Sequence, residues 1–514
     1  MTSLSEFKIP LLGVHEVGRY IENPNKKSTG PDDISSSLLK LSLPYIVDSL
    51  THIYNQCISK GIFPTEWKKA KIIPLPKVKT PIGIDDFRPI SVLSVLSKPL
   101  EKHIHKHLLV FLDKHSLLHP LQSGFRPNYS CHTALSHLID RWLLAINSSE
   151  MIGSVFLDFK KAFDMVHHAK LCEKLTLYLR NTTTLNFFRS FLHNRQQRVH
   201  LNGNISTYGT LKTGVPQGSV LGPLLFSLFI HDRPLHLSDE KVVCTMFADD
   251  TTLFTSGNST DTVANTLQNS LNELSCWCLS NHMVLNPSKT KYMVISTRQK
   301  HQLHPLSLSL YLGEILIQRV NEHKVLGVII DEHLDWYSHT HKLCQKISSN
   351  LFLLSKLRHF VDMQTCKIFF NAHILSHINY ASTLWDGCSD VNLKRLNSLY
   401  RRASKLMITN KSLSTDAKME ILDLLPLRDH LKLNKCVFMK KIIDGHAPNY
   451  LSNLFKDSTF LGRKHLLLPQ PRIDLFKSSL SYSGAILWNS LPENVKLIKT
   501  TSVFKTKIHK ILRS

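Results

Sequence analysis

Three aspartates, Asp158, Asp249 and Asp250, have the residue type and placement that most directly suggest chemistry in this sequence. Asp158 lies near the end of GSVFLDF, 153–159, an apolar run that reads as a β-strand. Asp249 and Asp250 follow 91 residues later in VVCTMFADDTTLF, 242–254. Two β-rich runs joined through Ala-Asp-Asp predict a hairpin with the carboxylates at its tip. If the strands are neighbours, the three acids meet at one point. Unpaired carboxylates that close repel one another and imply a bound cation. Phosphoryl transfer from a nucleotide needs such a cluster, because in-line displacement relies on divalent ions at the attacking and leaving oxygens. Hard oxygen ligands suit Mg²⁺. An Asp-Asp pair alone is commonly a surface turn, but here apolar strands on both sides bury everything except the tip.

Other residues of ligand type read differently. Cys276, Cys278 and His282 lack a second ligand pair at zinc-finger spacing and lie in a helical pattern, so they do not read as a zinc site. His103, His105 and His107 fall on a helical stretch, with His103 and His107 on one face, and read as a solvated helix face.

The elements that must position the aspartates follow from periodicity. Ser28 to Asp33 is turn chemistry, and Asp33 or Ser35 suits the cap of a helix starting near Ile34. The segment IIPLPKVKTPIGIDDFRP, 72–89, predicts a strand, a basic loop and a second short strand, followed by a helix over about 91–112. After Phe159 the chain is expected to turn helical through KAFDMVHHAKLCEKL. Val263, Leu267, Leu271, Leu274 and Cys278 recur at spacings of 4, 4, 3 and 4, which makes an amphipathic helix over 262–280. KYMVIS at 291–296 and KVLGVII at 324–330 each predict one strand. Beyond about residue 335 the pattern is mainly helical, with stripes such as Leu343, Ile347, Leu351 and Leu354. The fold class expected is α+β with mostly antiparallel strands.

Composition narrows the partner. The chain has 514 residues, enough for two to four packed units, and 42% are hydrophobic, which argues against wholesale disorder. Lys plus Arg number 63 against 39 Asp plus Glu, a net charge of +24. That excess points to a polyanion, and basic residues recur beside the apolar stripes of the helical region with few acids among them. Lys496, Lys499, Lys505, Lys507, Lys510 and Arg513 have no acid among them and suit phosphate contacts. The longest apolar run, Val220 to Ile230, is eleven residues and too short to span a bilayer. No secretory signal is visible, and ten scattered cysteines suit a reducing, intracellular setting.

Several segments together resemble one family. FADDT at 247–251 resembles the F/Y-x-D-D box of reverse transcriptases, and VFLDFKKAFDMV at 155–166 resembles their first aspartate box. TGVPQGSVLGPLLFSLFI at 213–230 is similar to the box between them in the form used by non-LTR retrotransposons. LNPSKTKYMVIS at 285–296 and KVLGVIID at 324–331 resemble the two boxes that follow. Upstream, FPTEWKKAKIIPLPK, FRPISVLSVLSKPLEKHI and LQSGFRPNYSCHTAL are similar to fingers segments of jockey-like, LINE-type elements. The resemblance covers about 26–360. LPQPRIDLF and YSGAILWNSLP in the tail are similar to the ends of such proteins, with less specificity.

The resemblance implies roles residue by residue. Asp158, Asp249 and Asp250 would hold two Mg²⁺ ions, with Mn²⁺ able to substitute, and the Phe159 carbonyl would assist. Phe163 stands where the family places its steric gate, a ring that would clash with a ribose 2′-hydroxyl. Gln217 and Gly218 match the nucleotide-contacting turn. Lys77 and Arg88, with Lys71 as a rival, stand where fingertip cations would grip the triphosphate. Lys289 matches a lysine that would protonate pyrophosphate.

The fold implied is a right hand. An irregular segment covers 1–25, fingers 26–150, palm 151–335, helical thumb 336–410 and a basic, mainly helical extension 411–514. The reverse transcriptase domain proper covers about 57–331. The activity implied is RNA-directed DNA polymerisation with an RNA template, a DNA primer or target and dNTPs. Its place of action would be the nucleus, and no membrane is involved. Only about 25 residues precede the first matching segment, too few for the endonuclease that full-length relatives carry, so the expectation is a polymerase portion without it. The alternative reading is a catalytically inactive nucleic-acid-binding remnant.

Overall fold

Apolar alternation broken by turn residues gives this chain its strands, and 3.6-residue periodicity gives its helices. The computed structural model describes residues 6–22, 29–303, 307–460 and 463–513. The chain runs through helices α1 (Val14–Glu22) and α2 (Ser36–Lys60), strands β1 (Lys69–Pro76) and β2 (Phe87–Leu93), and helices α3 (Ser97–Lys114) and α4 (Cys131–Asn147). Strand β3 (Met151–Leu157), helices α5 (His168–Tyr178) and α6 (Thr182–Leu192), strand β4 (Gln196–Leu201) and helix α7 (Gly222–Ile230) follow. Strands β5 (Val243–Phe247) and β6 (Asp250–Gly257), helix α8 (Thr260–Ser280) and strand β7 (Lys291–Ile295) come next. Strands β8 (Glu322–Val325) and β9 (Val328–Asp331) lead into the helical region, which includes α9 (Tyr337–Leu357), α10 (Asp390–Met407), α11 (Leu427–Ile443) and α12 (Thr501–Ile511). Among the described residues no helix is long and apolar enough to cross a membrane, and none of the ten cysteines is in a disulfide.

Two compact units interleave along the chain. One gathers 1–125, 158–238 and 271–286; the other gathers 126–157, 239–270 and 287–514.

In the first unit β1 pairs antiparallel with β2 and parallel with β4. This is the strand, basic loop and strand read from the sequence. Ser35, not Asp33, caps α2, its hydroxyl accepting the Leu38 N–H at 3.1 Å. Two expectations are corrected here. Helix α3 starts six residues later than predicted, because Ser91, Val92 and Leu93 complete β2 against Ile72, Lys71 and Ala70. The segment after Phe159 forms a turn before it becomes helical: Asp164 and Met165 donate back to the Lys161 carbonyl, and Lys161 has a φ of 46°.

The N-terminal stretch expected to be irregular instead carries α1, whose Val17 and Ile21 are buried. Residues 1–5 and 23–28 lie outside the described residues, so Ser28 of the first turn reading does too. The histidine face of α3 is not solvated. His103 is 0% exposed, and its Nε2 lies 2.9 Å from the Pro10 carbonyl. The N-terminal segment covers the face that periodicity left open.

The second unit is built on an antiparallel core of β7, β3, β6 and β5 in that spatial order. Every residue of β3 is buried. Gly153 shows how closely α8 approaches this strand: a Cβ there would stand 2.5 Å from Val263 Cγ1 and 2.6 Å from Leu267 Cδ1. Helix α4 and the β3 residues Ile152 and Phe156 share one hydrophobic core with the predicted α9 stripe, Leu343, Ile347, Leu351 and Leu354. KVLGVII is not one strand. Leu326 and Gly327 take φ 45° and 87°, and the chain folds there into the β8–β9 hairpin, with Val325 paired to Val328. Positive φ at both central positions is the geometry of a two-residue hairpin turn.

The basic faces of the helical region are better compensated than the sequence suggested. Arg401 pairs with Asp416 at 2.6 Å, Lys342 with Glu322 at 3.1 Å and Arg513 with Asp423 at 2.8 Å.

Four histidines of the second unit are held neutral by burial. Loss of hydration, aided by Lys441, lowers His132 to about 4, and the same cause lowers His137, His339 and His430 to about 4. His132 stacks on Phe438 with ring centres 4.0 Å apart. A folded-state value below the unfolded one means that acid favours the unfolded chain. Stability is therefore complete above the unfolded value near 6.5 and is lost as pH falls toward 4, each histidine costing up to about 2 kcal/mol at about pH 5. Thermal melts at about pH 7.5 and about pH 5 should show a lower melting temperature in acid, and His132→Gln should reduce that difference.

Candidate active site

Unit by unit, the structure gathers the candidate residues into two sets. In the second unit Phe247 pairs with Asp250, so Ala248 and Asp249 form a two-residue turn. Ala248 is buried at a φ of 59°. Glycine is favoured at that first central position, and holding another residue there costs about 1–3 kcal/mol. Asp249 and Asp250 are exposed. The hairpin is registered against β3 so that Leu157 pairs with Thr251. Leu157 is the residue before Asp158, and Thr251 the residue after Asp250. Lys289 lies exposed in the turn that leads into β7.

In the first unit Asp158 is fixed by Asn286. The Asn286 side-chain amide donates to Asp158 Oδ2 at 2.9 Å, and its backbone N–H donates to the Asp158 carbonyl at 2.8 Å. A bridge between Phe159 and Leu285 continues this pairing. Phe159 is buried, and the Arg233 guanidinium covers its ring at 4.3 Å. Phe163 is half-buried in the turn after Phe159, stacked on Phe226 at 4.2 Å and edge-on to Phe125 at 6.1 Å.

Gln217 Nε2 donates to Asp164 Oδ1 at 2.9 Å, and its carbonyl accepts the Ser91 N–H at 2.9 Å. Burial raises the Asp164 carboxyl, an effect opposed by the Gln217 hydrogen bond and by Lys161 and Lys77. Lys77 thus acts on the same carboxyl that Gln217 touches, and its Nζ donates to the Asp85 carbonyl at 2.8 Å. Lys161 pairs with Asp85 at 2.8 Å. Arg88 is exposed on β2, opposite Leu75. Gly218 has a φ of 146°, and a Cβ on it would stand 2.1 Å from the Ser91 carbonyl oxygen.

Sequence reasoning missed Asn286, Asp164, Lys161 and Glu101. Glu101 is buried, accepts the Val220 N–H at 2.7 Å and the Leu221 N–H at 3.3 Å, and so anchors the start of α7. Its burial raises its carboxyl, against hydrogen bonds from Ser97 and these amides. Asn286 and Asp164 lie in motif segments already singled out, but their roles depend on pairings 128 and 53 residues apart, which local periodicity does not reveal. Cys276, Cys278 and His282 form no ligand group among the described residues.

The buried strand and acidic hairpin of the second unit and the glutamine turn of the first are features of a reverse transcriptase domain. Residues 75–330 match the family described as reverse transcriptase (RNA-dependent DNA polymerase), and the chain belongs to that family. It is 30% identical over 361 residues to the RNA-directed DNA polymerase from mobile element jockey of Drosophila melanogaster, covering 68% of this chain and 39% of the relative. It is 29% identical over 467 residues to the "Probable RNA-directed DNA polymerase from transposon BS" of the same organism, covering 89% of this chain and 50% of the relative. The chain spans half or less of the length of these relatives. An apo telomerase from Candida Tropicalis, truncated from its C-terminal domain, overlaps 58% of this chain and 59% of its own at 14% identity and a TM-score of 0.37, a loose likeness.

Gly218→Ala should test the tight approach at the glutamine turn. The new Cβ would push on the Ser91 carbonyl in β2, and overpacking of this kind costs about 1–3 kcal/mol. A calorimetric melt should show a lower melting temperature, by roughly 2–4 °C per kcal/mol lost. An unchanged melt would show that the turn has room to spare.

Proposed function

We propose that this chain is an RNA-directed DNA polymerase of a non-LTR, jockey-like retrotransposon. It would transfer the nucleotidyl group of a dNTP to a DNA 3′ end on an RNA template. The observation that carries this reading is the β3–β6 register, which sets the strand leading into Asp158 beside the strand that begins with Asp250. The donor set fits two Mg²⁺ ions: three carboxylates and the Phe159 carbonyl offer only hard oxygens, with Mn²⁺ able to replace Mg²⁺. When bound, the ions would supply charge stabilisation at the attacking and leaving oxygens.

The protein's own residues do the rest. Asn286 orients Asp158. The strained turn at Ala248 holds Asp249 and Asp250 outward on a buried hairpin. Gln217 and Gly218 would contact the sugar and phosphate of the incoming nucleotide from the turn packed against Ser91. Lys77, with Arg88, would neutralise the triphosphate, and Lys289 would donate a proton to pyrophosphate. Phe163, braced by Phe226 and Phe125, would exclude a 2′-hydroxyl.

The hand layout belongs to the same proposal: fingers over 26–150, palm over 151–335, thumb over 336–410 and a nucleic-acid-gripping extension over 411–514. One adjustment follows from packing. Helix α4 shares its core with β3 and groups with the palm sheet. Action on DNA would place the protein in the nucleus.

Primer extension tests the reading. The purified chain with an RNA template, a DNA primer, dNTPs and Mg²⁺ should extend the primer, and a variant carrying Asp249→Ala and Asp250→Ala should not. A folded parent that binds the duplex and extends nothing would instead mark an inactive nucleic-acid-binding remnant.

The gate has its own test. Phe163→Ala should raise ribonucleotide incorporation relative to dNTP incorporation by roughly tenfold or more, because about 1.4 kcal/mol of lost discrimination is a factor of ten. An unchanged ratio in an active variant would remove Phe163 from that role.

A further inference from the structure

Helix α3 carries a cluster that the polymerase reading does not use. His103 and His107 lie one turn apart on the face that α1 covers, with ring centres 4.5 Å apart. Glu16, from α1, completes a group whose potential ligand atoms all lie within 4.8 Å of one another. All three belong to the first unit.

The hydrogen bonding is what makes this more than a crowded corner. His103 is 0% exposed. Its Nε2 is 2.9 Å from the Pro10 carbonyl oxygen. A carbonyl only accepts, so Nε2 carries the proton and Nδ1 carries a lone pair. That Nδ1 is buried with no hydrogen-bond partner, and so is His107 Nε2. A buried polar atom without a partner is destabilising, and here two occur within one cluster. Histidine ligands to metals characteristically donate their other ring N–H to a backbone carbonyl, which sets tautomer and orientation, and Pro10 occupies that place. Burial also lowers both imidazoles below their ordinary value, opposed by Glu16, which favours the neutral, ligating form.

We propose that Glu16, His103 and His107 bind a divalent transition-metal ion, with Zn²⁺ the best match. Two imidazoles and one carboxylate form a borderline donor set that suits zinc better than magnesium. Two histidines at i and i+4 on one helix face are well placed to share an ion. Zinc ligands at about 2.0–2.1 Å stand roughly 3.4 Å apart across a tetrahedron, so the cluster needs only a small closure. Water would fill the fourth position. The ion would tie α1 to α3, linking the N-terminal segment to the helix whose Glu101 anchors α7. It would be a structural clasp, separate from the aspartates.

The test uses the full chain without a histidine tag, stripped with a chelator and held in excess Mg²⁺ so that the carboxylate site does not compete for zinc. Zn²⁺ titration should show one tight site and a raised melting temperature, and Co²⁺ should give the visible absorption of a four-coordinate ion. His107→Ala and Glu16→Gln change partly exposed side chains, and each should weaken zinc binding by roughly tenfold or more and reduce the thermal gain. Either variant suffices if the other does not fold. The proposal is overturned if the folded parent takes up no zinc, or if the folded variants bind it as tightly as the parent does.

Discussion

The antiparallel pairing of β3 with β6 constrains most of what surrounds it. Seven residue pairs, from Met151 with Gly257 to Leu157 with Thr251, lock the two strands together. Every side chain of β3 is buried, so a slip of one residue would exchange the two buried faces and disrupt both packings at once. The same register fixes which residue follows the end of β3 and which residue begins β6. Both are aspartates. The chemistry proposed for them therefore rests on a packing constraint that holds with or without an ion. Gly153 shows the cost of that constraint in sequence terms, since any side chain there would collide with α8.

Elements encoded by short-range pattern were legible before the structure. The hairpin at Ala248 to Asp250, the spacing of Val263 to Cys278 and the leucine stripe of α9 all repeat a local period, and each element formed. Elements decided by a distant partner were not. KVLGVII is β-rich throughout, so period alone could not locate a turn that depends on Leu326 and Gly327 adopting positive φ. The histidines of α3 sit on a polar-looking face, and only the tertiary cover supplied by α1 turns that face inward. The same logic applies to the site. The aspartates and Gln217 were marked by motif, whereas Asn286 and Asp164 became visible only when their hydrogen-bond partners were placed beside them.

Charge behaves similarly. The net charge of +24 is a property of the whole chain, but individual cations are spent in different ways. Lys435 is largely buried against Asp386 at 2.7 Å. Removing one partner of such a pair would strand the other charge at a cost of about 3–5 kcal/mol, so it serves folding. Arg401 and Arg513 meet acids at the surface, where ion pairs contribute little to stability, about 0–1 kcal/mol. Each such pair removes one cation and one acid together, so the excess of +24 stays available to a polyanionic partner. A long-range field of that kind favours encounter with nucleic acid over recognition of a particular sequence.

The motif segment at 285–296 holds Asp158 in place. Asn286 grips both the carboxylate and the carbonyl of Asp158, and Leu285 bridges the next residue, Phe159. Those three contacts fix the backbone and one side-chain oxygen of Asp158 together. A carboxylate at a strand end would otherwise sample several rotamers, and the cation proposed to be shared among three acids would need all of them aligned at once. Asn286 has an amide donor and no charge, so it can orient the carboxylate without neutralising it, whereas a lysine in its place would compete with the metal for the same charge. The segment thus acts on Asp158 by positioning its backbone and carboxylate.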